Sequence, residues 1–191
     1  MIFTQRLPKT VEVDGHHYPI DPDYRVMAAF EVNMQEKRGD ERAVIAATLL
    51  LFYPEGIPAN IEMAAQKMLW FYQCGKEEKS REAESSRHPK QVYSFKADEG
   101  YIFSAFLDQY GINLLEVEFM HWWVFRRLFN GLKADNEIVK IMGYRSVKID
   151  SKMPPEKRHL YRKLQKQYQL PDYRTEEQRE KDMVTALSSF F

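Results

Sequence analysis

The run Asn113–Gly131, NLLEVEFMHWWVFRRLFNG, places Phe119, Trp122, Trp123, Phe125 and Phe129 within eleven residues and sets two of the three tryptophans side by side. Leu115, Phe119 and Trp122 recur at helical spacing, and so do Val117, Met120 and Val124, followed by Leu128. Two adjacent apolar stripes describe a helix that is apolar around most of its girth, and such a helix is buried. Glu116 and Glu118 near its start and Arg126 and Arg127 near its end suit the helix dipole. Gly131 is fit to end it. The expected fold is therefore mainly α, a compact multi-helix domain with a central buried aromatic helix over 113–131.

Working outward, Tyr93–Leu114 reads as a short extended lead and a helix. Phe103, Phe106, Leu107 and Tyr110 fit its inward stripe, Asp98 and Glu99 favour its start, and Gly111 closes it. So short a link to the aromatic run predicts that the two helices are neighbours. On the other side, 134–147 predicts a helix with Asp135 as its cap and Ile138, Ile141, Met142 and Arg145 on one face. Pro154 opens a further helix to about Tyr168, marked by Tyr161, Leu164 and Tyr168.

Before the aromatic run, Thr10–Ile20 carries a hairpin signature: Val11 and Val13 alternate, Asp14-Gly15 suits a tight turn, and Tyr18 and Ile20 alternate on the return. Helices follow over 21–37 (Met27, Phe30 and Met34 inward), 40–53 (Ile45, Thr48, Leu49 and Phe52) and 59–72 (Ile61, Ala64, Ala65, Met68, Leu69 and Tyr72). Residues 75–91 hold five basic and four acidic residues with three serines, and predict a mobile, solvated linker. The division expected is a helical core domain over 1–149, with the hairpin at 10–20 and the linker inside it. A C-terminal part over 150–191 carries a basic helix and a terminal amphipathic helix, extended from the core or folded back on it.

Lys+Arg and Asp+Glu number 28 each, which argues against general polyanion binding. One segment is one-sided: from Arg145 to Tyr168 there are eight Lys/Arg against two Asp/Glu. Arg158, Arg162, Lys163 and Lys166 form its basic patch, either a solvated face or a contact for nucleic acid or an acidic partner. The last stretch has a capping box at Thr175 and Gln178 and ends with Met183, Val184, Leu187, Phe190 and Phe191. Met183, Leu187, Phe190 and Phe191 are candidate partner-binding residues, or they tuck back onto the core.

Enzymatic chemistry is not expected. There is no Gly-rich phosphate loop, no HExxH and no GxSxG. The adjacent His16 and His17 point to opposite faces of a strand and do not make a metal site. Cys74 is the only cysteine, with no CxxC partner, which suits a reducing compartment. His121 has Val117 and Phe125 four residues to either side and reads as a core histidine bonded to backbone. No metal or cofactor is expected. The longest apolar run, 43–53, is too short for a bilayer, which needs about 20 residues, and no signal peptide is recognisable. A soluble intracellular protein is the expectation.

The runs YIFSAFLDQYGINL, HWWVFRRLFNGL and IVKIMGYRSVKI, between Tyr101 and Ile149, carry a resemblance to a known family. Tyr101, Ala105, Phe106 and Tyr110-Gly111 match its aromatic helix. His121-Trp122-Trp123 with Phe125 matches its most distinctive run, and Gly131-Leu132 and Ile141-Met142-Gly143-Tyr144-Arg145 match the helix that follows. The chain thus resembles the bacteriophage gp-fifteen-like family, from tail modules of long-tailed phages and prophages of Gram-positive bacteria. The resemblance implies a tail assembly chaperone that binds the tape measure protein in the cytoplasm of the bacterial host. A minor tail or connector component of the virion and a nucleic-acid-binding accessory protein are the alternatives, with self-association a further option. The family offers no catalytic residues to carry over, and His121, Trp122, Trp123 and Phe125 are read as its structural core signature.

Overall fold

The computed structural model describes residues 6–36, 40–76 and 91–173. Two antiparallel strands, β1 (Thr10–Val13) and β2 (His16–Pro19), are followed among the described residues by seven helices: α1 (Tyr24–Glu36), α2 (Glu41–Phe52), α3 (Ile61–Tyr72), α4 (Glu99–Tyr110), α5 (Trp122–Asn130), α6 (Glu137–Ser146) and α7 (Pro155–Gln167). The fold is mainly helical with a small N-terminal hairpin, as expected. In the hairpin, Val13 pairs with His16 across Asp14-Gly15, whose φ angles of 50° and 77° are those of a primed two-residue turn. Val11, Val13 and Ile20 are buried, which gives the hairpin the apolar support that two strands need.

The central helix is shorter than its apolar pattern suggests. It begins at Trp122, and Leu115 and Phe119, assigned to the buried stripe, are 76% and 52% exposed. The reason lies in competing backbone bonds. Asn113 turns the chain by accepting from Leu115 N on its side chain and from Glu116 N and Val117 N on its carbonyl. The chain then runs extended beside 22–24: Tyr24 N donates to Met120 O at 2.9 Å and Trp122 N to Pro22 O at 2.8 Å. A segment whose amides pair with a neighbour cannot also close i→i−4 bonds. In α5 only one stripe, Trp122, Phe125 and Phe129, is buried, and Val124 faces out. α4 and α5 do touch, through Tyr110 OH donating to Leu128 O at 2.9 Å, but their connection runs over 111–121.

Elsewhere the stripes shift by a residue or end early. In α4 the buried residues are Ile102, Ala105 and Phe106, and Leu107 is exposed. In α3 the stripe Ala64, Met68, Phe71 stops before the first turn, leaving Ile61 exposed. Asn136, not Asp135, precedes α6, and its amide donates to Gln109 Oε1 instead of capping the helix. Asp23 caps α1 by accepting from Arg25 N. Gly111 closes α4 in the left-handed conformation. The linker, apart from its first two residues and Gln91, and the terminal amphipathic stretch both lie outside the described residues.

Candidate functional site

The HWW run is a junction between helix ends. His121 is extended (φ −62°, ψ 135°) and caps α5: its Nδ1 accepts from Trp123 N at 3.0 Å. Its Nε2 lies 3.0 Å from Pro8 O. Both contacts are satisfied together only by the neutral ring with the proton on Nε2, so Nε2–H donates to Pro8 and Nδ1 is left to accept. Burial pushes the His121 pKa below its ordinary value, and the charges of Arg127 and Lys9 act the same way, against the Pro8 bond, which raises it.

The two tryptophans close the other helix. Trp122 Nε1 donates to Tyr72 O at 2.9 Å and Trp123 Nε1 to Phe71 O at 2.8 Å, satisfying carbonyls that the last turn of α3 leaves without helical partners. That end is also a Schellman turn, with Cys74 N donating to Phe71 O and Gly75 N to Trp70 O. Cys74 (φ 59°) and Gly75 (φ 74°) are both left-handed. A Cβ on Gly75 would stand 2.7 Å from Trp123 Cη2, so only glycine lets the indole reach the helix end. Cys74 is half-buried in this turn and burial pushes its thiol pKa up, away from reactivity.

Beneath the junction Phe125 is the hub, stacked on Tyr24 (ring centroids 4.7 Å apart), Phe106 (5.1 Å) and Trp122 (5.8 Å). A half-buried polar cluster, with Glu31 buried in it, lies on this helix-end junction. Tyr72 OH donates to Glu31 Oε2 at 2.8 Å, and Arg126 Nη1 donates to Tyr93 OH at 2.8 Å while its guanidinium lies over the rings of Trp122 and Phe129. Burial and the neighbouring Glu31 carboxylate raise the pKa of both Tyr72 and Tyr93. Arg126, assigned to the helix dipole, spends its charge here.

Arg145 is the residue whose role the sequence conceals most. It opens the basic segment by composition, yet it is buried and forms a two-pronged pair with Asp98, Nη1 to Oδ2 at 2.6 Å and Nη2 to Oδ1 at 2.8 Å. It also donates to Val92 O at 3.0 Å and to Tyr168 O at 2.6 Å. Asp98 therefore anchors α6 rather than capping α4, and accepts from Ser94 N besides. The segment's other charges behave as a surface: Arg162, Lys163 and Lys166 are exposed, Arg158 is half-buried, and no residue of α7 is buried. Arg158, Arg162 and Lys166 follow one another at i, i+4 and i+8 on one face. The candidate residues Met183, Leu187, Phe190 and Phe191 lie outside the described residues.

Beside the hub, an apolar groove of about 640 Å³ opens between α1 and α4. It is lined by Ala28, Ala29 and Val32 of α1, by Gly100, Ile102 and Phe103 of α4, by Phe125, and by Leu114 and Leu115 of the connection between α4 and α5. Among the described residues no group of three or more His, Cys, Asp or Glu is placed to hold a metal ion, and no helix is long and apolar enough to cross a membrane. His16 and His17 are both exposed.

No curated protein and no solved structure matches the chain. One family model matches residues 3–170, a span that takes in the hairpin and every helix described above. The chain therefore belongs to the family described as Bacteriophage Gp15 protein.

Proposed function

We propose that this protein is a non-enzymatic tail-assembly chaperone of a long-tailed phage or prophage of Gram-positive bacteria. In this reading it works in the cytoplasm of the bacterial host and holds the tape measure protein soluble until tail-tube subunits displace it. The observation that carries the proposal is membership of the phage family over 3–170. Two features of the site support a binding role over a chemical one. Both nitrogens of His121 are engaged in holding backbone, and the tryptophans beside it are spent on closing α3. The reactive-looking residues of the distinctive run are thus occupied by architecture. A chaperone also needs apolar surface to offer, and Leu50 and Leu51, adjacent on α2, are 68% and 57% exposed. Met183, Leu187, Phe190 and Phe191 are proposed to add to that surface when a partner is present.

The test is co-expression with the tape measure protein of the same tail module, followed by size exclusion and composition analysis. A soluble complex containing an otherwise insoluble partner is the expected result. If the partner stays insoluble and this protein elutes alone, the chaperone reading is wrong. A minor tail component would instead be found in purified particles. A nucleic-acid role of the basic face of α7 would show as binding that falls steeply with added salt.

A further inference from the structure

We propose that the outer face of α2 is a self-association surface, on which a second copy of this chain packs antiparallel, α2 against α2. The pairing is a property of the chain alone and stands apart from the chaperone reading, whose test requires a partner.

α2 spends only part of its girth on the fold. Val44, Thr48, Leu49 and Phe52 are buried, and the helix packs on α1 and α3. Past its first two residues, what it exposes is Ala43, Ala46, Ala47, Leu50 and Leu51, with no polar side chain among them. These stand at i, i+3, i+4, i+7 and i+8, the spacing of a core-facing stripe. The helix is therefore apolar on two faces, and one of them meets water. Leu160, exposed among the charges of α7, is the ordinary case of a single apolar residue on a surface. A continuous stripe along a whole helix is not.

The face is complementary to itself in one direction. Laid antiparallel about a two-fold axis between Ala46 and Ala47, Ala43 of each copy comes opposite Leu50 of the other, and Ala46 opposite Ala47. Large side chains then meet small ones, and the axes can close to about 8 Å. Arg42 comes opposite Leu51, one helical turn short of the second copy's Glu55. Arg42 and Glu55 are both exposed, and among the described residues neither is in an ion pair. The two-fold axis makes that charge match twice. A parallel arrangement would instead set Arg42 on Arg42 and Leu50 on Leu50, with the helix dipoles aligned unfavourably. Twelve residues give a footprint about 18 Å long. That is small beside the roughly 800 Å² per partner of a standard interface, so the dimer is reversible and concentration-dependent.

The experiment is sedimentation equilibrium of the full chain from micromolar to millimolar concentration. A reversible monomer–dimer equilibrium is expected. Leu50→Glu, at a position 68% exposed and so not needed by the fold, should raise the dissociation constant about tenfold or more. Arg42→Glu and Glu55→Arg should each weaken pairing about threefold or more. Combining Arg42→Glu with Glu55→Arg should restore it, which a general loss of stability cannot do. A chain that stays monomeric at millimolar concentration overturns the proposal and leaves the face to a different protein. Dimerisation that Leu50→Glu does not change places the contact elsewhere and overturns it too. So does a double exchange that binds no better than the single variants, since the antiparallel match requires the rescue.

Discussion

Replacing Arg145 by methionine should be among the most damaging single changes available to this fold, because it strands a carboxylate. The Asp98 side chain is 2% exposed and that of Arg145 is 8% exposed, so the pair is out of water on both sides. Removing one partner of such a pair leaves a buried, uncompensated charge, at about 3–5 kcal/mol. A domain of this kind has only about 5–15 kcal/mol in total, so Arg145→Met should lower Tm by about 6–20 °C at the usual 2–4 °C per kcal/mol. The double variant Asp98→Asn with Arg145→Met removes the charge while keeping an acceptor for Ser94 N. Its remaining defect is the loss of a donor to Val92 O and Tyr168 O, about 1–2 kcal/mol. Arg145→Lys keeps the charge but not the planar fork, and should fall between the two. Urea unfolding followed by circular dichroism gives each free energy by linear extrapolation. The reasoning fails if Arg145→Met costs less than about 1 kcal/mol, or if the double variant costs as much as the sum of the singles, since a true charge pair must show coupling.

Two further predictions concern the helix-end junction. His121 is held neutral by burial, so its folded pKa lies below the unfolded 6.5 and its contribution to stability is complete above pH 6.5 and is lost as pH falls from there toward the folded value. The loss should proceed at no more than about 1.4 kcal/mol per pH unit. His121→Asn keeps a capping acceptor without a titrating ring, so its unfolding free energy should lose this slope between pH 5 and 7; an unchanged slope would place the titration elsewhere. Gly15→Ala and Gly75→Ala both force a left-handed alanine, at about 1–2 kcal/mol, but only the second meets Trp123. Gly75→Ala should therefore cost a further 1–3 kcal/mol or so of overpacking, read as the larger drop in thermal midpoint, and equal drops would show that the indole yields freely.

The helical class, the hairpin and most element positions were legible in the sequence because they rest on local physics. Asp14-Gly15 specifies its turn through backbone conformation alone, Gly111 its helix end, and Met27, Phe30, Thr48, Leu49 and Phe52 recur at the period of the surface they bury. The family, too, was legible, since it is carried by residue identities along the chain. The tertiary structure decided what non-local partners dictate. Leu115 and Phe119 fit a helical stripe, but the amides of Leu115, Glu116 and Val117 are claimed by Asn113 and that of Trp122 by Pro22, and the helix starts only at Trp122, capped by His121. Trp122 and Trp123 read as apolar bulk, yet their N–H groups had to find acceptors once packed in, and they found them in the Tyr72 and Phe71 carbonyls, about fifty residues away at the end of α3. Arg145 belongs by charge to a solvated helix and by position to a buried pair. Its periodicity beside Ile138 and Ile141 was the sequence's one sign of this, but Asp98 lies 47 residues away. Spacing along a chain reports which face a residue occupies; which group waits on the other side is set only when the faces meet.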